Sequence, residues 1–191
     1  MIEAFRRQTL LAGRIMSEHL KKGDSAVDGT AGTGADTLLM AEQVGEVGRV
    51  YTFDIQDLAI EKTKKLLSEH QLQDVVHLYH CGHEKIKEFD EITEDFNIRG
   101  AMFNLGYLPG GDHTLVTRAE TTMTALKDTL DLLTPDGLLT VCVYRHPEGM
   151  EEYLAIEKWC SELGKGIDVY RVDTMNHKNS PILYLIKKQG M

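Results

Sequence analysis

The sequence predicts an α/β protein: one open, mostly parallel sheet with helices on both faces, closed by an antiparallel hairpin at its C-terminal end. Three observations predict it. Strand-like and helix-like segments alternate along all 191 residues, the pattern that builds layered α/β folds. The run Leu138–Tyr144 is Val-rich and uninterrupted, as suits a central parallel strand covered on both faces. The last two strand-like runs have no helix between them, so they pair antiparallel, because a parallel pair needs a crossover.

The elements follow in order. Residues 5–20 repeat apolar side chains at helical spacing through Phe5, Leu10, Leu11, Ile15, Met16 and Leu20. Lys21-Lys22-Gly23-Asp24 then ends that helix with basic residues and a glycine. A short buried strand is expected over 25–28, a helix over 35–44, a turn over 45–48 and a second strand over 49–54. Residues 56–70 read as a helix with Leu58, Ile60, Leu66 and Leu67 on or near one face. A third strand (75–79), a short helix (84–89), a fourth strand (101–105) and a helix (118–133) come next. Thr134-Pro135-Asp136-Gly137 is a turn signal. A fifth strand (138–144), a helix (150–163) and strands at 167–172 and 182–187 complete the chain. There is no internal repeat, low-complexity segment or linker. Residues 1–191 read as one domain, with residues 1–22 as an N-terminal helix packed on it.

Composition bounds the function. Hydrophobic residues make up 42% of the chain, enough for a normal core. No apolar run approaches a membrane span, and Met1–Arg7 lacks the apolar core of a signal peptide. The three cysteines, Cys81, Cys142 and Cys160, are scattered without a C-x-x-C pair. That usage suits a reducing cytoplasm and not a disulfide scaffold or zinc site. No histidine pair has helical metal-ligand spacing, so no metal is expected. A net charge of −9 argues against nonspecific nucleic-acid binding. Local basic clusters remain: Arg6, Arg7, Arg14, Lys21 and Lys22; Lys62, Lys64 and Lys65; Lys178, Lys187 and Lys188.

The most informative stretch is Val27-Asp28-Gly29-Thr30-Ala31-Gly32-Thr33-Gly34. It lies between a strand and a helix, and the next strand ends in Asp54. A strand, a glycine turn, a helix and a second strand ending in a carboxylate suit a nucleoside-bearing cofactor across parallel strand ends. Gly32 and Gly34 would allow close approach of backbone to ligand, and Asp54 would accept from both ribose hydroxyls. Thr37 stands where a dinucleotide fingerprint has its third glycine. Asp28, at the start of the loop, repels a pyrophosphate and attracts a cation. Asp28 thus favours S-adenosylmethionine, with its ammonium and sulfonium, over NAD. A strand–turn–helix with glycines for packing alone is the plainer alternative.

Other polar residues fall just past the strand ends that converge on one crevice: Cys81-Gly82-His83, Asn104–Pro109 and Tyr144–Pro147. Asn104-Leu105-Gly106-Tyr107-Leu108-Pro109 resembles the N-P-P-Y motif of amino-group methyltransferases. The Asn104 side-chain oxygen can accept from a substrate N–H, and Tyr107 can stack on a planar base, so that positioning supplies most of the catalysis. Alternatively, Asn104 is a helix cap and Gly106, Gly110 and Gly111 form a turn. His83, His113 and His146 each have the chemistry to deprotonate an ammonium substrate. A parallel sheet ending in an antiparallel strand is also the layout of Rossmann-like class I methyltransferases, a second vote for S-adenosylmethionine.

Asp28–Thr37 (DGTAGTGADT), Asp54-Ile55-Gln56, Asn104–His113 (NLGYLPGGDH) and Asn176–Pro181 together resemble the MnmM/YtqB family, which has carried the label "putative rRNA methylase". The resemblance covers nearly the whole chain. It implies an S-adenosylmethionine-dependent enzyme that converts 5-aminomethyl-2-thiouridine to 5-methylaminomethyl-2-thiouridine at the tRNA wobble position. The sites it implies are Asp28, Thr30, Gly32, Gly34, Asp36, Thr37, Asp54, Gln56 and His83 for the cofactor, with Asn104 and Tyr107 for the amine and base. Gly29 and Thr33 depart from the usual D-A-T-x-G-N-G-x-D-T loop, Ala35 stands at one of its variable positions, and Cys81-Gly82-His83 stands for a D-S-H-like turn. The expected partner is tRNA through its anticodon loop, whose unstacked bases suit such capture. No membrane partner is expected, the expected location is the cytoplasm, and homodimerisation is left open. The alternatives are methylation of another RNA, a small-molecule amine methyltransferase, a non-catalytic S-adenosylmethionine-binding protein and an NAD-dependent oxidoreductase.

Overall fold

Apolar side chains alternating with a period of two decide how the sheet sits between its helices. In the computed structural model, which describes residues 7–106, 117–145, 149–177 and 180–190, seven strands form one sheet. They are β1 (Ser25–Asp28), β2 (Arg49–Asp54), β3 (Val76–His80), β4 (Ile98–Leu105), β5 (Leu138–Val143), β6 (Ile167–Val172) and β7 (Ile182–Lys188). Their order is β3-β2-β1-β4-β5-β7-β6. The first five are parallel, β7 runs antiparallel to β5, and β6 antiparallel to β7. The helices are α1 (Gln8–His19), α2 (Ala35–Val44), α3 (Asp57–Glu69), α4 (Asp90–Thr93), α5 (Ala119–Leu132) and α6 (Met150–Glu162), with a 3₁₀ turn at His83–Glu88.

β5 shows how the two faces are filled. Leu138 and Cys142 join a core with Ala26, Met102, Leu183 and residues of α1 and α2. Leu139, Val141 and Val143 join the opposite core, with Phe53, Phe103, Ile186 and residues of α5 and α6. All six β5 residues are buried, whereas the edge strands β3 and β6 are largely half-exposed. α1 lies against the sheet through Leu11, Ala12, Met16 and Leu20. Gly100 on β4 makes room for it: a Cβ there would lie 2.5 Å from Met16 Sδ.

The expected α/β class and terminal antiparallel hairpin are present. Two details differ from expectation. β4 begins at Ile98, not Ala101, because Gly100 belongs to the strand to admit Met16 and does not interrupt it. α4 has no counterpart among the expected elements: it is a single turn whose Ile92 is fully buried. β7, the second strand of the hairpin, is the one that joins β5. The strand order also reverses direction between β1 and β4, the switch point at which open α/β sheets bind ligands.

Candidate active site

A cleft of about 710 Å³ opens at that switch point, at the carboxyl ends of β1, β2, β4 and β5. Of the residues expected at the site, Thr30, Gly32, Asp36, Asp54, Gln56, His83 and Asn104 line it. Asp28, Gly34 and Thr37 do not. Tyr107 lies outside the described residues, as do His113, His146 and Lys178.

Asp54 ends β2 and is tied to the glycine loop. Its Oδ2 accepts from the Gly32 amide at 2.9 Å and its Oδ1 from the Gln56 amide at 2.9 Å. An ionised carboxylate has about four lone-pair sites, so capacity remains for hydroxyl donors. Asp28 works from beneath. It is fully buried, accepting from Thr37 Oγ1 at 2.5 Å and from the Thr30 amide at 3.0 Å. Alternation along β1 explains this: Ala26 and Asp28 face the α2 side of the sheet, Val27 the other. Gly34 is the N-cap of α2, with φ +84°, and a Cβ there would sit 3.0 Å from Thr63 Cα and Oγ1 of α3. Its glycine serves the turn and helix packing. Asp28, Gly34 and Thr37 therefore brace the loop that the other residues present.

Asn104 is held at two points on the loop side. Its amide N–H donates to Thr30 Oγ1 at 2.8 Å, and its Nδ2 donates to Asp36 Oδ2. Its Oδ1 is buried and has no hydrogen-bond partner among the described residues. Seven other buried side-chain atoms among the described residues also have no partner, but of these residues Asn104 alone lines the cleft. An unpaired acceptor on a cleft residue marks where a ligand donor belongs. His83 is buried and its Nδ1 lies 2.9 Å from the Gly29 carbonyl. A carbonyl only accepts, so Nδ1 carries the proton. Burial lowers the imidazole pKa, against the raising effect of that bond, which keeps the ring neutral with Nε2 unprotonated.

The floor is acidic. Burial raises the Asp28 carboxyl, and the charge of Asp36 raises it further; burial also raises Asp36, against the lowering bond from Asn104. Among the described residues, no Lys or Arg pairs with Asp28, Asp36 or Asp54. Uncompensated carboxylates in a low-dielectric cleft suit a cationic ligand and disfavour a pyrophosphate. A sulfonium and an ammonium match that demand.

The rim differs. Arg7, at the N-cap of α1, and Arg118, at the N-cap of α5, both line the cleft and are exposed. Leu10 beside them is 54% exposed. Buried Glu152 of α6 accepts from Thr117 Oγ1 at 3.0 Å and Thr122 Oγ1 at 2.6 Å, which fixes the chain around Arg118. Tyr144 closes the β5 side with its ring over Gly106. Arg118 and Glu152 carry no sequence signal as site residues. No local motif marks them, because they meet the cleft only when α5 and α6 pack. Arg145, just past the end of β5, is committed to the protein and not to the cleft. Its guanidinium donates to Asp173 at 2.9 and 3.3 Å and to the Ser180 carbonyl at 3.3 Å, while Arg171 shares the same Asp173.

The family described as "Putative rRNA methylase" matches residues 50–188. The chain is 34% identical to an Arabidopsis thaliana protein named tRNA (mnm(5)s(2)U34)-methyltransferase, chloroplastic, over 96% of this chain and 70% of that protein. A solved structure from Clostridium thermocellum, described as a "putative rRNA-methylase", superposes with a TM-score of 0.89 at 38% identity, covering 95% of this chain and 97% of that one. A structure from Streptococcus mutans, described as "a putative methyltransferase" in complex with SAH, superposes with a TM-score of 0.84 at 32% identity, covering 95% of this chain and 98% of that one.

Proposed function

The chain belongs to the "Putative rRNA methylase" family, and from that premise we propose that it methylates the aminomethyl nitrogen of a modified wobble uridine in tRNA. The reaction converts 5-aminomethyl-2-thiouridine to 5-methylaminomethyl-2-thiouridine, with S-adenosylmethionine as methyl donor. Two relatives support this: the Arabidopsis protein through its named substrate, and the Streptococcus structure through its bound SAH. The observation that carries it here is the orphan Oδ1 of Asn104. That oxygen is an acceptor for an amine N–H in a cleft whose carboxylates favour a cationic cofactor.

When bound, the cofactor supplies a methyl group activated on a sulfonium. Asp54 would accept from the ribose hydroxyls, and Gln56 would lie toward the adenine. Thr30 and Gly32 present the loop that Asp28 and Thr37 brace, and Asp36 lends negative charge at the methionine end. Asn104 orients the amine by its N–H, and Tyr107 stacks on the base. Neutral His83 holds the loop at Gly29, and its unprotonated Nε2 has the chemistry to take a proton from an ammonium. Anchored Arg118 and Arg7 meet phosphates of the anticodon loop at the rim. Three free cysteines suit a reducing compartment, in our reading the cytoplasm.

The test is methylation of tRNA bearing the 5-aminomethyl group, read by mass spectrometry of its wobble nucleoside. Asn104→Ala should lower turnover by about 100-fold, the scale of losing one oriented polar contact in a transition state, while cofactor affinity changes little. A net charge of −9 favours a second reading, a small-molecule amine acceptor. Wild-type protein that methylates small amines but never tRNA would put that reading first.

A further inference from the structure

Asp36 lies in the first turn of α2, lines the cleft, and accepts the side-chain N–H of Asn104 across from β4. An ionised carboxylate can only accept. The Asn104 amide must therefore turn its NH₂ toward Asp36. Flipping the amide would set Oδ1 against the carboxylate, two acceptors facing one another. The Asn104 backbone N–H is meanwhile fixed by Thr30 Oγ1, so only the side-chain torsion remains to be set.

We propose that Asp36 is a positioning residue that sets the amide of Asn104, so that Oδ1 and not Nδ2 is offered to the methyl acceptor. The proposal rests on the amine-acceptor reading above. It gives Asp36 a role beyond charge at the cofactor. The cleft then presents an acceptor where the substrate has an N–H, and a substrate that brings only an acceptor, such as a carbonyl, meets no partner there. The same contact links the cofactor loop to the acceptor side: α2 follows directly on the glycine loop.

The two roles of Asp36 separate in two variants assayed at pH 8, where its carboxyl is ionised. Asp36→Asn removes the charge but keeps an oxygen that can accept from Asn104; Asp36→Ala removes both. Positioning predicts that turnover at saturating cofactor falls about 30-fold or more in the alanine variant and only about threefold in the asparagine variant. Cofactor affinity, measured by calorimetry, should weaken alike in both. In Asn104→Ala protein, adding Asp36→Ala should lower turnover no further. Equal turnover losses in the two variants, or full additivity with Asn104→Ala, would overturn the proposal. A second readout needs no substrate: the side-chain ¹⁵N amide pair of Asn104 in cofactor-free protein. It should be slow to exchange in wild type and in Asp36→Asn, and lose that protection in Asp36→Ala. An unchanged signal in Asp36→Ala would also overturn it. If the wild type fails to methylate tRNA, the functional reading falls while the amide signal still decides the pairing.

Discussion

The floor and the rim of the cleft are built on opposite principles. On the floor, buried Asp28 is held by Thr30 and Thr37, and half-buried Asp54 by the Gly32 and Gln56 amides. On the rim, Arg7, Leu10 and Arg118 are exposed at helix starts, and the start of α5 is tied to Glu152 through Thr117 and Thr122. A floor of this kind is organised before ligand arrives, so its bonds need no rearrangement on binding. An exposed cationic rim contributes through screened, long-range attraction. The difference teaches how an acidic protein can hold an anionic substrate: negative charge is sequestered where a cationic cofactor belongs, and positive charge is kept where a phosphate would arrive. The contrast implies large, local effects from floor substitutions and small, salt-dependent effects from the rim.

The largest effect should come from Asp54. It bonds Gly32 and Gln56 and has spare lone pairs for hydroxyls, so Asp54→Ala removes both the ribose partner and a loop tie. Bonds to charged groups contribute about 1.5–3 kcal/mol each, so the affinity for S-adenosylmethionine should fall by about 100-fold or more in calorimetry. Near wild-type affinity would show that the floor does not depend on Asp54, and would break the comparison at its strongest point.

The rim is tested by charge. Arg7→Glu with Arg118→Glu should raise KM for tRNA by about tenfold at moderate salt, and the gap from wild type should narrow as salt rises, because phosphate contacts act through counterion release. Cofactor affinity should hold. Arg145→Ala is the control: its guanidinium is already spent on Asp173 and Ser180, so it should lower Tm and leave KM for tRNA as it was. Loss of tRNA binding in Arg145→Ala alone would move the docking face to the β6–β7 end of the sheet.

Much of the floor is legible in the sequence, because its parts sit in short loops at strand ends. A glycine turn after one strand, a carboxylate at the end of the next and a polar amide at the end of a third are local signals, and they point to Gly32, Asp54 and Asn104, which line the cleft. What cannot be read is which residues line and which brace. Asp28 and Asp54 look alike in sequence, but β1 turns Asp28 under α2, and only the sheet's packing decides that side. The rim is less legible still. Arg7 belongs to a visible basic cluster, whereas Arg118 reaches the cleft only through α5, tied by a glutamate on α6. Arg145 misleads because a strand-end arginine looks free until the acid that holds it, Asp173, is brought back by the hairpin. The fold itself is legible through alternation, and the misses there have the same cause: Gly100 and Ile92 take their roles from partners distant in sequence.

The smallest expected effect probes whether the floor carries full charge at all. Burial raises the Asp28 carboxyl above its ordinary range, Asp36 adds to this, and the bonds from Thr37 and Thr30 oppose it. The folded protein thus holds this proton more tightly than the unfolded chain does. That contribution favours folding below the ordinary carboxylate range and is lost as pH rises through the raised value near neutrality. An Asp28→Asn variant has no proton to lose at this position, and the amide oxygen it introduces can still accept from the Thr30 N–H. Groups not coupled to Asp28, among them His19, titrate in both proteins and cancel in the difference, while Asp36 loses a repulsive neighbour in the variant, which adds a change of the same sign. In thermal melts of cofactor-free protein, the stability of Asp28→Asn relative to wild type should improve between about pH 5 and pH 8, by on the order of 1 kcal/mol, the scale of one pKa unit. A flat difference would mean that Thr37 and Thr30 alone hold Asp28 ionised throughout. The floor would then be more strongly anionic before cofactor binds than its burial implies, and its contrast with the rim would sharpen.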